Sequence, residues 1–353
     1  MKKVLQVIPH LNLGGAEVMC KHLSVTLKKA GYDVMVVSFF NDRSKNTAEL
    51  EAAGIPVVYL GKKNGVDLSL LKKMRKIIKN FEPDVIHTHL AAVKYAFMAS
   101  VGLKKRLVHT VHSVAQQECG RFARILNKLF LKSKRVTFVA LSEIVADTIR
   151  DVYKLPMEQI PIVYNGVPLE SCMVKTDWTL HEPVSIANVA GFRPVKNHIA
   201  LLDAVKQLID RGHNVKLFLY GDGSERERIE QHISQNQLQD AVVLCGFSET
   251  VAENLHNSDI FVLPSLYEGI SLAIIEAMGT GLPIVASAVG GIPNMINDGE
   301  DGLLCEPTAQ SVAEKLDALI IDAELRSRLG QKTVVSAERF SASSMVKGYL
   351  DIY

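Results

Sequence analysis

The feature that most constrains the fold is a repeated alternation of short apolar runs with longer amphipathic stretches. Short apolar runs bounded by turn residues are typical of buried strands, and apolar residues at helical spacing between them indicate helices. Strands that alternate with helices favour a parallel sheet covered by helices on both faces. We therefore predict an α/β protein. The predicted strands are 4–8, 34–39, 57–60, 85–87, 107–111, 137–141, 160–163, 184–189, 215–220, 242–245, 260–263 and 284–286.

A turn-rich segment divides this alternation into two halves. Asn165-Gly166-Val167-Pro168 is turn chemistry, and the strand–helix pattern restarts after it. The chain of 353 residues is also too long for one typical core. We predict two doubly wound parallel-sheet domains at 1–168 and 169–340.

The charges of the two halves are opposite, although the net charge is only +2. Residues 1–168 contain 26 Lys and Arg against 13 Asp and Glu, which leaves 14 basic and 25 acidic residues for the remainder. The first half therefore has a net charge of +13 and the second of −11. We expect no nucleic-acid partner, and each half has to be interpreted separately.

Cysteine usage and the absence of long apolar runs bear on location. The five cysteines are an odd number and have no CxxC spacing, which argues against disulfides and a zinc site and suits a reducing cytoplasm. The apolar start Val4–Ile8 is too short for a signal peptide, and no run is long enough for a membrane span. We expect a cytoplasmic protein.

The stretch Pro264–Gly291 contains the most informative pair of acids. It predicts a strand, a loop with Glu268, a helix that carries Glu276 and a second strand, which together form a βαβ unit. In such units the loop lies at the carboxyl end of a strand, where ligands bind and helix N-termini face anions. Taken alone, the pair favours the ordinary structural explanation, a capping carboxylate and an exposed helix glutamate, over a ligand site.

Three further groups follow predicted strands. Gly14 and Gly15 precede the first helix, where glycines let the backbone approach a phosphate or simply form a turn. Arg193 and Lys196 follow the first strand of the second half, and such cations either neutralise a diphosphate or are solvated loop residues. His112 also follows a predicted strand. It either hydrogen-bonds a sugar or a reacting group or is a structural residue.

Two other histidines and a basic helix complete the candidates. His87 and His89 alternate on one strand and are followed by no nearby carboxylate, so we assign them to packing or helix entry and not to a metal. The segment Arg121–Arg135 predicts an amphipathic helix with one apolar face framed by cations. It either packs on the core or contacts an anionic membrane surface. The apolar residues of the predicted face are Phe122, Ile125, Leu126, Leu129 and Phe130.

At these residues the chain resembles the retaining glycosyltransferases of family 4, over nearly its whole length. The signature is Glu268 and Glu276 with seven residues between them, in EGISLAIIEAMGTGLPIVAS. Supporting motifs are GGAE at 14–17, PDVIHTH at 83–89, VHTVHS around His112, YNGV at 164–167, GDG at 221–223 and GFSETVAENLHNSDIFVLPS at 246–265. The resemblance implies the GT-B fold, with two facing Rossmann-like domains and a cleft between them, and a C-terminal helix at 341–353 that joins the first domain.

The resemblance also implies roles for individual residues. Glu276 binds the ribose of a nucleotide, Glu268 binds the donor sugar, and Arg193 and Lys196 stabilise the departing diphosphate. His112 contacts the sugar and is placed with Glu268, Arg193 and Lys196 among the catalytic residues. The other donor-binding residues are Gly14, Gly15, Phe247, Gly269, Ile270, Ser271 and Leu272. No acceptor-binding residue is assigned.

This chain departs from the family pattern in three places. Arg193 lies only three residues before Lys196, whereas many members have a longer spacing. Asn294 stands where a glutamate commonly follows GGxP, and Ile270-Ser271 replaces the more usual Phe-Gly. The first departure makes Arg193 a poorer match to the family pattern than Lys196, and the third bears on the choice of donor sugar.

The implied activity is transfer of a sugar, with retained anomeric configuration, from a nucleotide donor (we expect a UDP-sugar) to a saccharide acceptor. The basic first half favours a lipid-linked acceptor at the inner face of a membrane, in surface polysaccharide or glycoconjugate synthesis, and a soluble sugar or small-molecule acceptor is the alternative. No D-x-D triplet occurs, so we expect neither a metal nor another cofactor. One alternative is a nucleotide-sugar 2-epimerase, although its His-Arg-Glu-Asn run is missing, and another is a non-catalytic nucleotide-sugar-binding protein.

Overall fold

The computed structural model describes residues 2–12, 14–63, 65, 67–113, 115, 121–248 and 250–353, with the backbone alone at 121–123 and 132. Within it the chain forms two compact units. The first consists of Met1–Val167 together with Ala342–Tyr353, and the second is Pro168–Ser341. No helix in the described ranges is long and apolar enough to cross a membrane.

The first unit is a parallel sheet with strand order β3-β2-β1-β4-β5-β6. Val, Ile and Leu fill its strands, and buried apolar residues lie on both faces because helices cover both. Its elements are β1 (Lys3–Ile8), α1 (Gly15–Lys29), β2 (Asp33–Ser38), α2 (Lys45–Ala52), β3 (Val57–Tyr59), α3 (Ser69–Phe81), β4 (Val85–His89), α4 (Val93–Ala99), β5 (Arg106–Val111), α5 (Arg121–Lys132), β6 (Val136–Ala140), α6 (Glu143–Tyr153) and, at the C-terminus, α13 (Ala342–Leu350).

The second unit repeats this architecture, with strand order β12-β11-β10-β7-β8-β9. Its core is a separate cluster of apolar residues between the sheet and its helices. Its elements are β7 (Val184–Val189), α7 (His198–Asp210), β8 (Val215–Tyr220), α8 (Arg226–Gln235), β9 (Val242–Gly246), α9 (Val251–His256), β10 (Ile260–Leu263), α10 (Leu272–Thr280), β11 (Ile284–Ser287), β12 (Leu303–Cys305), α11 (Ala309–Ile321) and α12 (Ala323–Ala337).

The strand order of each parallel sheet reverses between its first and fourth strands. In the first unit β1 pairs with β4, and in the second β7 pairs with β10 so that Phe261 lies opposite Ala187. Ligands of open α/β sheets bind outside the carboxyl ends of the strands at such a switch point. The prediction of two doubly wound parallel sheets is confirmed, and each sheet has one edge at which a site is expected.

Three elements differ from the sequence prediction. The segment 160–163 forms only an isolated bridge between Ile162 and Ala140 and is not a strand of the sheet. Helix α2 and strand β12 were not predicted: α2 is mostly polar, and β12 has only three residues. The predicted helix at 341–353 is present as α13 and packs against α1.

Candidate functional site

The switch point of the second sheet brings two predicted catalytic residues together. The loop after β7 carries Lys196, and the loop after β10 carries Glu268. Lys196 Nζ forms an ion pair with Glu268 Oε2, and the two side chains are only 20% and 13% exposed. The residues are 72 positions apart in the sequence, so the adjacent strands β7 and β10 make this contact possible.

Asn197 joins the two loops of the switch point. It has left-handed backbone angles (φ 59°, ψ 39°), which asparagine adopts more readily than most residues, and it precedes α7 as its N-cap residue. Its Nδ2 donates to the carbonyl oxygens of Pro264 at 3.1 Å and Pro307 at 3.0 Å. The backbone N–H of Leu266 also donates to the Val195 carbonyl at 2.8 Å. Sequence reasoning missed Asn197, although an asparagine directly before a helical pattern is a recognised capping signal.

Two buried serines hold the Glu268 side chain and its loop. Ser265 Oγ donates to the same Oε2 atom that pairs with Lys196, at 3.3 Å. Ser287, at the end of β11, donates from Oγ to the Ser265 carbonyl at 2.5 Å. The carboxylate of Glu268 therefore has two donors, and the backbone before it is tied to the neighbouring strand.

The glycine pair after β11 fits against the backbone of Glu268. The N–H of Gly291 donates to the Glu268 carbonyl at 3.0 Å. A Cβ on Gly290, which has φ +56°, would lie 1.8 Å from that carbonyl oxygen, and one on Gly291 would lie 2.4 Å from the Gly269 oxygen. Only glycines therefore permit this approach, and they restrict where the loop of Glu268 can go.

The predicted donor-binding segment 269–272 leads from Glu268 into α10. Ser271, which is buried, is the N-cap residue, and its side chain accepts from the Ile274 N–H at 3.5 Å. Leu272 is the first helical residue, while Gly269 and Ile270 are half-buried in the loop. The positive end of the α10 dipole and the first-turn amides therefore lie at the edge of the sheet that carries Lys196 and Glu268.

Glu276 lies in the second turn of α10, next to the short 3-10 turn Leu169–Ser171. Burial and the nearby Glu276 carboxylate raise the pKa of the Cys172 thiol to about 12. Gly279 packs against the same turn, because a Cβ there would lie 2.8 Å from Cys172 Sγ. Glu276 is itself half-buried, so its side chain lies against neighbouring residues rather than on a fully exposed helix face.

The remaining predicted residues of this unit, Arg193 and Phe247, are exposed. Arg193 precedes the 3-10 turn Pro194–Lys196, and Phe247 follows β9 with 72% of its surface exposed. In the described part of the chain, Arg193 donates no hydrogen bond to the Lys196–Glu268 pair. Their loops are connected through the loop after β8, since the Phe192 N–H donates to the Asp222 carbonyl at 2.9 Å and the Gly221 N–H donates to the Gly246 carbonyl at 2.8 Å. Both residues thus lie at the edge where β7 and β9 end.

In the first unit Gly14 and Gly15 begin α1 at the carboxyl side of β1. Gly14 is the N-cap residue, and a Cβ on it would lie 2.5 Å from Glu17 Oε2. A Cβ on Gly15 would meet nothing within 4 Å. The Glu17 carboxylate therefore lies at the helix N-terminus, where negative charge is stabilised, and Gly15 faces open space.

His112 belongs to a chain of hydrogen bonds that links β1, β4 and the residue after β5. Its Nε2 lies 3.0 Å from His89 Nδ1, and His89 Nε2 lies 2.9 Å from Gln6 Oε1. With the amide oxygen of Gln6 as acceptor, His89 donates from Nε2 and accepts at Nδ1, so His112 donates from Nε2. Burial, with a smaller contribution from His109, lowers the pKa of His112 to about 3, which keeps the imidazole neutral at physiological pH. Sequence reasoning missed Gln6 and the role of His89.

His87 is buried and joins the strands to the C-terminal helix. Its Nδ1 lies 2.6 Å from the Tyr353 hydroxyl, and its Nε2 lies 2.7 Å from Thr110 Oγ1. Thr110 in turn bonds to the Tyr349 hydroxyl at 2.7 Å. Among the described residues, no group of three or more His, Cys, Asp or Glu side chains is arranged to hold a metal ion.

The predicted apolar residues of the basic helix are divided between the core and the surface in α5. Phe130 is buried and stacks on Phe97 with ring centroids 4.1 Å apart. Ile125 and Leu129 instead point outward, with 59% and 55% exposure, next to the exposed Lys128. The helix is rotated because Asn127, also buried, bonds to the Tyr153 hydroxyl and faces the core. The side chains of Arg121, Phe122 and Lys132 lie outside the described residues.

Family comparisons agree with this division of the chain. The family model described as Glycosyltransferase Family 4 matches residues 13–171, and the one described as Glycosyl transferases group 1 matches residues 178–334. Together they span most of both units.

Individual proteins resemble the chain over most of its length. The N-acetyl-alpha-D-glucosaminyl L-malate synthase of Bacillus anthracis is 28% identical over 301 residues, which are 81% of this chain and 78% of that protein. The UDP-Gal:alpha-D-GlcNAc-diphosphoundecaprenol alpha-1,3-galactosyltransferase of Escherichia coli is 28% identical over 269 residues, 68% of each chain. The crystal structure of Anabaena HepE with UDP has a TM-score of 0.85 at 19% identity, over 100% of this chain and 99% of that one.

Proposed function

Because the chain belongs to glycosyltransferase family 4 and has the GT-B fold, we propose that it transfers a sugar from a UDP-sugar donor to a lipid-linked saccharide acceptor. The transfer retains the anomeric configuration and requires no metal. Its biological setting is the synthesis of a surface polysaccharide or glycoconjugate.

The observation that carries the proposal is the Lys196–Glu268 pair at the switch point of the second sheet. A cation, a carboxylate and the N-terminus of α10 lie on one edge of the sheet. A diphosphate needs positive charge and amide donors, and a sugar needs a hydrogen-bond acceptor for its hydroxyls. Lys196 supplies the positive charge, the 269–272 backbone supplies the amide donors, and Glu268 supplies the acceptor for the sugar hydroxyls.

UDP as the nucleotide is supported by two comparisons. The E. coli relative is named for a UDP-galactose donor, and HepE was crystallised with UDP and with UDP-glucose. Glu276 binds the ribose in this proposal, with Phe247 at the same edge and Arg193 as a second cation for the diphosphate. In the first unit, Gly15 lets the loop approach the phosphates and His112 contacts the sugar.

The positive groups of the chain itself stabilise the departing diphosphate. Lys196, Arg193 and the α10 dipole neutralise the charge that grows on the leaving oxygen as the sugar–oxygen bond breaks. We expect turnover to be unchanged by EDTA. If EDTA abolished transfer and added Mg²⁺ or Mn²⁺ restored it, the metal-independent part of the proposal would be wrong.

The lipid-linked acceptor is supported by the surface of the first unit and by one relative. Ile125 and Leu129 are exposed on α5 next to Lys128, in a half of the chain with a net charge of +13. Such a face suits an anionic membrane surface, where each nearby cation contributes about 1 kcal/mol. The E. coli relative is named for a diphosphoundecaprenol-linked acceptor.

The decisive experiment is a calorimetric panel of UDP-, GDP- and ADP-sugars, followed by transfer assays. We expect a UDP-sugar to bind, and Glu276→Ala to weaken it by at least tenfold, roughly the loss of 1.4 kcal/mol. Glu314→Ala, an exposed glutamate on α11, is the matched control and leaves binding unchanged. Unchanged donor binding and turnover in Glu276→Ala would contradict the assignment of the site.

Two further measurements complete the test. NMR of the product from an α-linked donor should show an α-glycoside, whereas a β-glycoside would contradict retention. Incubating the donor without acceptor should give no epimer at C2; an epimer would favour the 2-epimerase.

Membrane contact is tested by flotation with liposomes of phosphatidylglycerol and phosphatidylcholine at low salt. We expect the wild-type protein to float and Ile125→Glu/Leu129→Glu to remain at the bottom. Leu68→Glu, an exposed apolar residue outside α5, serves as the control. Failure of the wild-type protein to float would remove the membrane from the proposal.

A further inference from the structure

We propose that Glu268 also promotes release of the nucleoside diphosphate product, by competing with the diphosphate for Lys196. The inference rests on the proposed function, in which Lys196 is a diphosphate ligand. It assigns the acidic residue a second role, distinct from contact with the donor sugar.

The structure shows Lys196 already engaged by an acid of its own chain. The ammonium is paired with Glu268 Oε2, and both side chains are largely buried. A charge-assisted hydrogen bond in a site with little water is stronger than one on the surface. A diphosphate that approaches Lys196 must therefore share it with a carboxylate.

Glu268 cannot easily withdraw from the pair. Its carboxylate is held by Ser265 Oγ at 3.3 Å, and its backbone is held by the Gly291 N–H at 3.0 Å. Close packing of Gly290 against its carbonyl leaves no room for the loop to shift toward β11. These contacts within the unit hold the carboxylate beside Lys196.

The charge on the ligand makes this competition selective. In the donor the terminal phosphate is esterified to the sugar and carries one charge. After transfer it is the terminal phosphate of a nucleoside diphosphate, held only by the anhydride bond, and its second ionisation has a pKa near 6, so at neutral pH it carries nearly two charges. The repulsion from Glu268 is therefore larger for the product than for the donor, which favours release after transfer.

The test compares binding of UDP and UMP to wild-type protein and to Glu268→Gln by calorimetry, at low and high salt. Glutamine preserves the size and the hydrogen bond to Ser265 and removes the charge. We expect UDP to bind about tenfold tighter to Glu268→Gln at low salt, with a smaller gain at high salt, because screening weakens the repulsion. UMP, which has no second phosphate, should change less than about twofold. Glu300→Gln, an exposed acid of the same unit, should bind UDP as the wild-type protein does.

A second variant covers a loss of folding in the first. Glu268→Asp keeps the charge and withdraws the carboxylate from Lys196 by about 1.5 Å, the length of one carbon–carbon bond. We expect an affinity for UDP between those of the wild-type protein and Glu268→Gln. General damage to the site would weaken binding, so tightening is a result that a purely structural role does not produce.

The outcomes separate this inference from the function beneath it. If a folded Glu268→Gln binds UDP no tighter than the wild-type protein, the release role is wrong while the donor assignment stands. If the wild-type protein binds none of UDP, GDP and ADP, the proposed donor class itself fails. If only Glu268→Asp folds, an affinity for UDP no higher than that of the wild-type protein likewise shows that the release role is wrong.

Discussion

Substituting Gly290 with alanine should disable the site without unfolding the unit that carries it. The new Cβ would lie 1.8 Å from the Glu268 carbonyl oxygen, whereas an ordinary contact needs about 3.2 Å or more. One backbone must therefore move by about 1.4 Å, and a displacement of about 1 Å in a site costs roughly a hundredfold in rate. Alanine at φ +56° adds about 1 kcal/mol of backbone strain, and the overpacking adds about 1–3 kcal/mol.

Gly299→Ala separates the two effects. Gly299 also has a positive φ, of +76°, but a Cβ on it would meet nothing within 4 Å. We expect Gly299→Ala to lose about 1 kcal/mol of stability, or a Tm shift of about 2–4 °C, and to keep its kcat/KM. Gly290→Ala should lose about 2–4 kcal/mol and roughly a hundredfold in kcat/KM for sugar transfer. If both variants lost the same stability and both kept their activity, the argument that Gly290 positions Glu268 would be refuted.

Three further predictions concern the buried polar groups of the first unit. Burial lowers the pKa of His109 to about 4, so on acidification the unfolded state is protonated at this residue before the folded state. The free energy of unfolding should therefore fall by about 3 kcal/mol as the pH drops from above 6.5 to about 4. Urea titrations of His109→Gln should show a shallower dependence of this free energy on pH. Tyr353→Phe leaves His87 Nδ1 without the hydroxyl at 2.6 Å, and thermal unfolding should show a loss of about 1–3 kcal/mol. His89→Phe removes the bond to His112 and should lower kcat about tenfold, with a smaller effect on donor affinity. His89→Gln retains a polar group and should recover part of the lost kcat. Equal kcat in the two variants would refute a positioning role for His89.

The periodicity of the chain determined the order and kind of most elements. Runs such as Ile260–Leu263 and 284–286 are apolar along their whole length because both faces of a parallel strand are buried. Pattern alone failed where burial is weak or the run is short. Helix α2 is polar and begins with a Ser44–Thr47 capping box, and the apolar segment 160–163 makes a single bridge at the edge of the sheet.

The orientation of α5 shows what a helical pattern cannot decide. Its apolar residues cover a wide arc, so several rotations bury some of them. Asn127 and Phe130 face the core because they contact Tyr153 and Phe97 there. This orientation leaves Ile125 and Leu129 exposed on the surface. These partners come from other helices, and no local rule identifies them.

The sequence by itself determined two α/β domains, the family, and the kinds of residue expected in the site. Tertiary structure alone decided that Lys196 meets Glu268, that Gly290 presses on the Glu268 carbonyl, and that His89 holds His112. The physical reason is that local propensity and periodicity act within a few residues, whereas neighbours in a parallel sheet come from segments far apart in the chain. The strand order at each switch point makes those contacts, and it exists only once the whole sheet has formed.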